Sequence, residues 1–283
     1  IALMSNNQVA VTAPSSTEYG LDLVAIATTT AIAAGGGSSC DATCTALRSG
    51  LVGYWSFNTD TDPIPDDSGN GHTGTVVNVV HSTDAHVGDG AYEFAGSIND
   101  RIEVADDDDF TFNDGVNDTA FTFSYWVKPN TVHLDTMFSK MSTSLGYEYN
   151  FRFDGSNYIW FRMYNGNASE YLKLSDLASA ASYVDQWTHF AVIYDGTGVA
   201  NDTYSIKIYI NGTEMVYGFR QQSNWVGFDN GSAELIIGGT KGWGTNYSFN
   251  GLMDEFGVWN RALSETEVGQ LYNSGSGRSL IDE

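Results

Sequence analysis

Residues 251–264, GLMDEFGVWNRALS, read as a strand that passes at once into a short helix. Leu252, Phe256 and Val258 recur among Asp, Glu and Asn, the spacing of a strand with one buried face. Ser264 and Glu267 form a capping box, and Val268, Leu271 and Tyr272 give the helix one apolar stripe. Asn273 to Gly277 supplies a Gly-rich stop. Such a helix buries its stripe only against a body already built, so this stretch closes a domain.

The chain upstream supplies strand patterns. Phe121, Phe123, Tyr125 and Val127 alternate with Ala120, Thr122, Ser124 and Trp126. Tyr147–Phe153 and Asn157–Tyr164 flank Asp154-Gly155-Ser156, a hairpin signal. Thr188–Tyr194 ends at Asp195-Gly196, and Tyr204–Ile210 turns through Asn211-Gly212 into Glu214–Phe219. Leu51–Phe57, Ala91–Phe94, Arg101–Val104 and Leu235–Ile237 complete the set. About a dozen strands in one open sheet would curl or split, so the pattern predicts two packed antiparallel sheets. With 31 Gly against 4 Pro, turns are plentiful and strands are uninterrupted.

A net charge of -23 speaks against binding to a nucleic acid backbone or to an anionic membrane surface. It suits a soluble surface in a saline or cation-rich setting, or a surface that binds divalent cations. No apolar run reaches the length of a membrane span. The cysteines, Cys40 and Cys44, lack a second ligand pair for zinc. A local disulfide, if the protein is extracellular, and two free thiols both remain open.

Residues 1–49 have a different texture, rich in Ala, Thr, Ser and Gly, with Gly35-Gly36-Gly37-Ser38-Ser39 reading as a linker. They are either a disordered tail or an extended arm that mediates self-assembly by adding a strand to a neighbour's sheet. The expected division is 1–49 for this extension and 50–283 for the sandwich. The chain begins at Ile1, without an initiator Met, as a processed product would.

Several motifs follow one another in order: Tyr54-Trp55-Ser56-Phe57 with Asp67-Ser68-Gly69-Asn70-Gly71, then Phe121–Pro129 and Trp187–Gly196. Tyr209-Ile210-Asn211-Gly212, Ile237-Gly238-Gly239 and Met253-Asp254-Glu255 with Asn260–Ser264 complete them. Together they resemble the laminin-G-like, concanavalin A-like jelly-roll domains, with Trp187–Gly196 as the tryptophan strand. The resemblance covers residues 50 to 275 and implies an all-β, two-sheet antiparallel jelly-roll sandwich with one short C-terminal helix. It also implies a non-catalytic binding or adhesion module, often for glycans and often carrying calcium; fold analogy alone does not establish this here.

Calcium takes six to eight oxygen ligands. If first and last strands are neighbours, as the resemblance implies, Asp67, Asn70 and Asp254 are the expected ligands, with the His72 carbonyl helping. The other reading of Asp66–Asn70 is a turn capped by its own side chains. For glycans, aromatic rings offer flat apolar faces: Trp225, Trp243 and Tyr247 are the leading candidates, with Trp160, Tyr164 and Tyr171 behind them. Trp55, Trp126, Trp187 and Trp259 read as core. Glycosidases need paired carboxylates across the sugar. Here Glu148 is a lone strand carboxylate, read as solvated, and His189 reads as a packed strand residue. No nucleophile elbow, P-loop or His-Glu-x-x-His occurs. Of six Asn-x-Ser/Thr sequons, at Asn117, Asn167, Asn201, Asn211, Asn230 and Asn246, Asn211 is first of all hairpin chemistry.

The sequence thus predicts a calcium-stabilised, non-catalytic module at a cell surface, virion surface or other extracellular site, binding glycans or a surface protein. The alternative is a structural subunit of a virion, fibre or cell-surface layer, assembled through residues 1–49.

Overall fold

A computed structural model describes the backbone of Ala2–Leu3 and Val9–Ala10, and residues 40–281 except 115–116, 155–157, 166–170, 177–179, 198–204, 216, 224–226 and 242–246. For residues 171–176 and 217–223 only the backbone is described. The chain divides into two units, Ile1–Gly37 and Ser38–Glu283. In the first, the backbone of β1 (Ala2–Leu3) pairs antiparallel with β2 (Val9–Ala10).

The second unit is a two-sheet sandwich. Its elements are α1 (Ala42–Leu47), β3 (Leu51–Trp55), β4 (Gly74–Val77), β5 (Val80–Ser82), β6 (Ala91–Ala95), β7 (Arg101–Val104) and β8 (Phe121–Pro129). Then come β9 (Thr136–Ser142), β10 (Gly146–Phe153), β11 (Ile159–Tyr164), β12 (Tyr171–Asp176), β13 (Thr188–Tyr194) and β14 (Ile206–Ile210). β15 (Thr213–Glu214), β16 (Tyr217–Ser223), β17 (Leu235–Ile237), β18 (Asn250–Trp259) and α2 (Glu265–Tyr272) follow. One sheet runs β16-β12-β11-β10-β9-β17-β7-β4, the other β15-β14-β13-β8-β18-β6-β5 with β3 also on β18. All these strand pairings are antiparallel. This is the predicted architecture.

Between the sheets lies an aromatic core. Phe123 from β8 stacks on Phe138 from β9 at 4.4 Å between ring centroids, and Phe138 on Phe151 from β10 at 5.8 Å. These rings are fully buried with Phe121, Phe161, Phe190 and Phe256. Each such ring removes roughly 150–250 Å² from water, which makes this layer the main source of stability. Gly238 in the predicted Ile237-Gly238-Gly239 motif has φ +86°, and a Cβ there would lie 2.0 Å from the Phe94 ring. Both its backbone and its neighbour therefore demand glycine.

The closing stretch forms as predicted. β18 pairs with β8 on one side; on the other it pairs with β6 by its first half and β3 by its second. The handover sits at a bulge, where Glu255 takes φ +55° and the register shifts between Asp254 and Gly257. First and last sandwich strands are neighbours, Trp55 opposite Phe256. The Ser264–Glu267 capping box is present, and Asn273 ends α2 in the left-handed conformation.

α2 buries Val268 and Leu271 in a second, smaller core on the outer face of the β18 sheet, with Tyr54, Ala191, Ile193 and Trp259. Cys44 and Leu47 of α1 join it, and the Trp259 indole donates to the Leu47 carbonyl at 2.7 Å. The sandwich unit therefore takes in residues 40–49, which the sequence reading assigned to the extension; the two apolar side chains of α1 anchor them. Cys40 and Cys44 are joined in a disulfide. Of the core tryptophans, Trp55, Trp126 and Trp259 are buried, whereas Trp187 stays half-buried beside His86.

Two strand readings change. The expected strand Glu214–Phe219 splits: the Asn211-Gly212 turn delivers only β15 to its partner β14, and β16 then crosses to the far edge of the other sheet. Like β4, β5 and β12, β9 had no sequence reading. Its Thr-Met-Phe-Ser-Lys-Met-Ser pattern carries a lysine that is fully buried, which masks a central strand as a surface segment.

Candidate functional site

The Asp66–His72 turn closes on itself. Asp66 accepts from the backbone of Tyr54, Ser68 and His72. Asp67 accepts from both the amide and the hydroxyl of Ser56, at 3.1 and 2.7 Å. Asn70 turns its amide nitrogen to the Leu51 and Val52 carbonyls, and the His72 carbonyl accepts the Trp55 indole at 2.9 Å. Asp254 is fully buried in β18 and accepts the amides of His86 and Val87 at 2.8 and 2.9 Å. Asp67 and Asp254 have no hydrogen-bonding partner in common. Each of the four expected calcium ligands thus takes part in an internal hydrogen bond, while the second oxygen of Asp254, Oδ1, is buried without a hydrogen-bond partner among the described residues.

His72 does meet carboxylates by its ring. Its Nε2 lies 3.2 Å from Asp109, and the ligand atoms of His72, Asp107 and Asp109 fall within 4.8 Å of one another. An imidazole nitrogen in the set suits a transition metal better than calcium.

The lone carboxylate Glu148 is not solvated. It sits at a bulge in β10 and is fully buried, 2.5 Å from the Lys140 ammonium and 2.8 Å from the Thr111 hydroxyl. Lys140 also reaches Asp106 at 2.7 Å. Burial pushes the Glu148 carboxyl up to about 7 against the pull of Lys140. His189 is packed, as expected, with its Nε2 2.8 Å from the Ser124 hydroxyl. Burial, helped by His86, lowers it to about 3.

A different surface gathers groups suited to a ligand. Along β10, Phe151 and Phe153 enter the core, so alternation sends Asn150 and Arg152 to the outer face of their sheet. Along β11, Ile159, Phe161 and Met163 enter the core, and Trp160, Arg162 and Tyr164 take the outer face. Register sets Arg152 opposite Trp160 and Asn150 opposite Arg162. The guanidinium carbons of Arg152 and Arg162 lie 5.1 and 4.5 Å from the Trp160 ring centroid. Tyr247 closes one side, its ring centroid 5.4 Å from the Arg152 guanidinium. Its backbone is fixed where its carbonyl accepts the Thr136 amide at the start of β9. Tyr147 and Tyr164, 5.8 Å apart, border the other side. Each cation–π contact is worth about 0.5–2 kcal/mol and orders the ring and the cation together.

Trp160, Arg162, Tyr147 and Tyr247 are half-buried, while Arg152 is 9% exposed and Asn150 2%. Burial lowers the Arg152 pKa, the neighbouring Arg162 lowers it further, and Tyr164 and Tyr247 oppose both. Tyr247 was a leading aromatic in the sequence; the structure brings it to the Arg152 guanidinium, which also lies over the Trp160 ring. Tyr171 lies opposite Tyr164 in backbone register, its side chain outside the described residues. Trp225 and Trp243 also lie outside the described residues. Asn150 and Arg152 went unnoticed in the sequence. The signal was there: Asn-x-Arg and Trp-x-Arg on two strands of one hairpin, in a chain with only 12 basic residues.

No helix among the described residues is long and apolar enough to cross a membrane. No curated protein matches the chain. Among solved structures it is similar to the binding domain of Paraclostridial mosquitocidal protein 1, at 22% identity and TM-score 0.57, over 81% of this chain and 53% of that one. It is similar to the botulinum neurotoxin serotype D ligand binding domain, solved with N-acetylneuraminic acid, at 16% identity and TM-score 0.57, over 82% and 52%. It is also similar to domain 4 of AbnA, an extracellular GH43 arabinanase from Geobacillus stearothermophilus solved with arabinotriose. There the identity is 23% and the TM-score 0.53, over 78% of this chain and 97% of that one. The chain spans about half the length of the two toxin domains. At these identities the likeness shows the fold alone. Residues 96–269, more than half of the chain, match the concanavalin A-like lectin/glucanases superfamily, to which this chain belongs.

Proposed function

We propose that this chain is a non-catalytic glycan-binding module whose site is the outer face of β10 and β11. The observation that carries the reading is the array of Trp160, Tyr247 and two guanidinia in one half-buried patch. Half-exposed rings stack on sugar C–H faces, and arginine and asparagine order hydroxyls and acidic groups. Two similar structures, the arabinanase domain and the serotype D domain, were solved with sugars. The non-catalytic reading has support from Glu148, whose carboxylate is engaged by Lys140 and Thr111 instead of facing a partner acid across a sugar. The Cys40–Cys44 disulfide favours an extracellular or surface location. A glycan array tests the reading: wild type binds one glycan class, and Trp160→Ala loses about 1–2 kcal/mol of that binding, roughly tenfold, while it keeps its fold by circular dichroism. Wild type binding nothing, or Trp160→Ala binding as wild type does, refutes it.

A second reading has one observation in its favour. Residues 1–37 form a unit of their own, as an arm that assembles structural subunits of a virion, fibre or cell-surface layer would.

A further inference from the structure

Arg152 is in an unusual position for this chain. There are 35 acidic side chains to 12 basic ones, and a carboxylate partner for any buried cation is easy to supply. Lys140, which is fully buried, has two. Arg101, Arg261 and Arg278 each have one. Arg152 is nine-tenths buried and makes no ion pair with any described carboxylate. Its cationic neighbour is Arg162, across the Trp160 ring. Its Nε, and the Oδ1 of Asn150 on the same face, are buried without a hydrogen-bond partner among the described residues. A buried charge left without its counterpart is costly to a fold. The π face of Trp160 compensates only in part, because a ring quadrupole attracts a cation but accepts no N–H in the guanidinium plane. What the arrangement lacks is a planar or tetrahedral anion in that plane. Guanidinium binds carboxylate and sulfate by paired, parallel N–H donors.

Resting on the glycan-binding reading above, we propose that the ligand of this patch is an acidic glycan. Its carboxylate or sulfate is held by Arg152 with Arg162, and its sugar ring lies against Trp160 and Tyr247. The chain's -23 charge makes this selective in a simple way. Acidic polymers are repelled over the surface at large, and only a site presenting two fixed guanidinia holds one.

The test is an array bearing carboxylated, sulfated and neutral glycans, probed with wild type, Arg152→Met and Arg152→Lys, alongside a thermal melt of each. Binding is expected on carboxylated or sulfated members only, and which of the two arms responds identifies the anion. Arg152→Met is expected to bind at least tenfold more weakly and to melt at or above the wild-type temperature. Arg152→Lys, which keeps the charge and loses the fork, is expected to stay folded and to bind more weakly. Neutral glycans bound equally by wild type and Arg152→Met overturn the acidic inference and leave the glycan reading standing. No binding to any class overturns both. A large drop in melting temperature for Arg152→Met shows that the fold already compensates the charge, and also overturns the inference.

Discussion

Replacing Lys140 with methionine isolates the electrostatics of the buried end of β9 and β10. The side chains of Lys140 and Glu148 are 0% and 1% exposed, and that of Asp106 is 33% exposed. Methionine fills much of the lysine's volume, so the chief loss is the charge. Glu148 keeps the Thr111 hydroxyl and the Gly231 amide, at 2.8 and 3.2 Å, but not its cation. Asp106 turns to solvent at little cost. Breaking a buried pair by removing one partner costs about 3–5 kcal/mol, and that is the expected loss at pH 8.

The loss depends on pH. In the folded wild type Glu148 sits at about 7, raised by burial and held back by Lys140. Without the lysine it moves higher. Between those two values the folded variant holds a proton that the wild type has released. The cost of the substitution therefore grows as pH rises through 7, with a slope approaching about 1.4 kcal/mol per pH unit, and it is smaller at pH 6 than at pH 8 by up to about 1.4 kcal/mol. His189 acts in the opposite sense. Its lowered value makes stability fall as pH drops below the free histidine value, but it does so in both proteins and cancels in the difference. Urea unfolding followed by tryptophan fluorescence at pH 6 and 8 gives the numbers. The double variant Lys140→Met with Glu148→Gln removes the stranded charge and is expected to be more stable than Lys140→Met at pH 8. An equal cost at both pH values, or a double variant less stable than the single one, refutes this account.

Chelation tests the calcium ligands expected from the sequence. A fall of several degrees on adding a chelator is the outcome expected if Asp67, Asn70, the His72 carbonyl and Asp254 share an ion; an unchanged melting temperature would show that their internal hydrogen bonds suffice. Native mass spectrometry of the full chain and of a chain lacking residues 1–37 tests the arm. Under the assembly reading the full chain forms large species and the shortened one is monomeric; equal masses dismiss it.

The sequence makes the sandwich legible because its signals are local. Alternation in Phe121–Val127, the Asn211-Gly212 turn and the Ser264–Glu267 box each depend on a few neighbouring residues, and each appears where expected. The course of the chain after Glu214 was not legible, since the choice of sheet for β16 is made by partners far away. The same holds for charge. Glu148 reads as solvated until Lys140 is known to be buried beside it. The arginine patch lies between these cases: the strand spacing places its residues on one face, but the lack of a carboxylate at Arg152 shows only in three dimensions.

β18 has one more consequence. It fills the middle of its sheet, yet the strands on its flanks come from far earlier in the chain, and Tyr54 meets Glu255 across 201 residues. Until it docks, β8, β6 and β3 present bare edges, the kind of surface that templates aggregation. Folding is thus slow and late, set by closure of very long loops, and a fragment ending before Asn250 would recruit strands from its neighbours instead of standing alone.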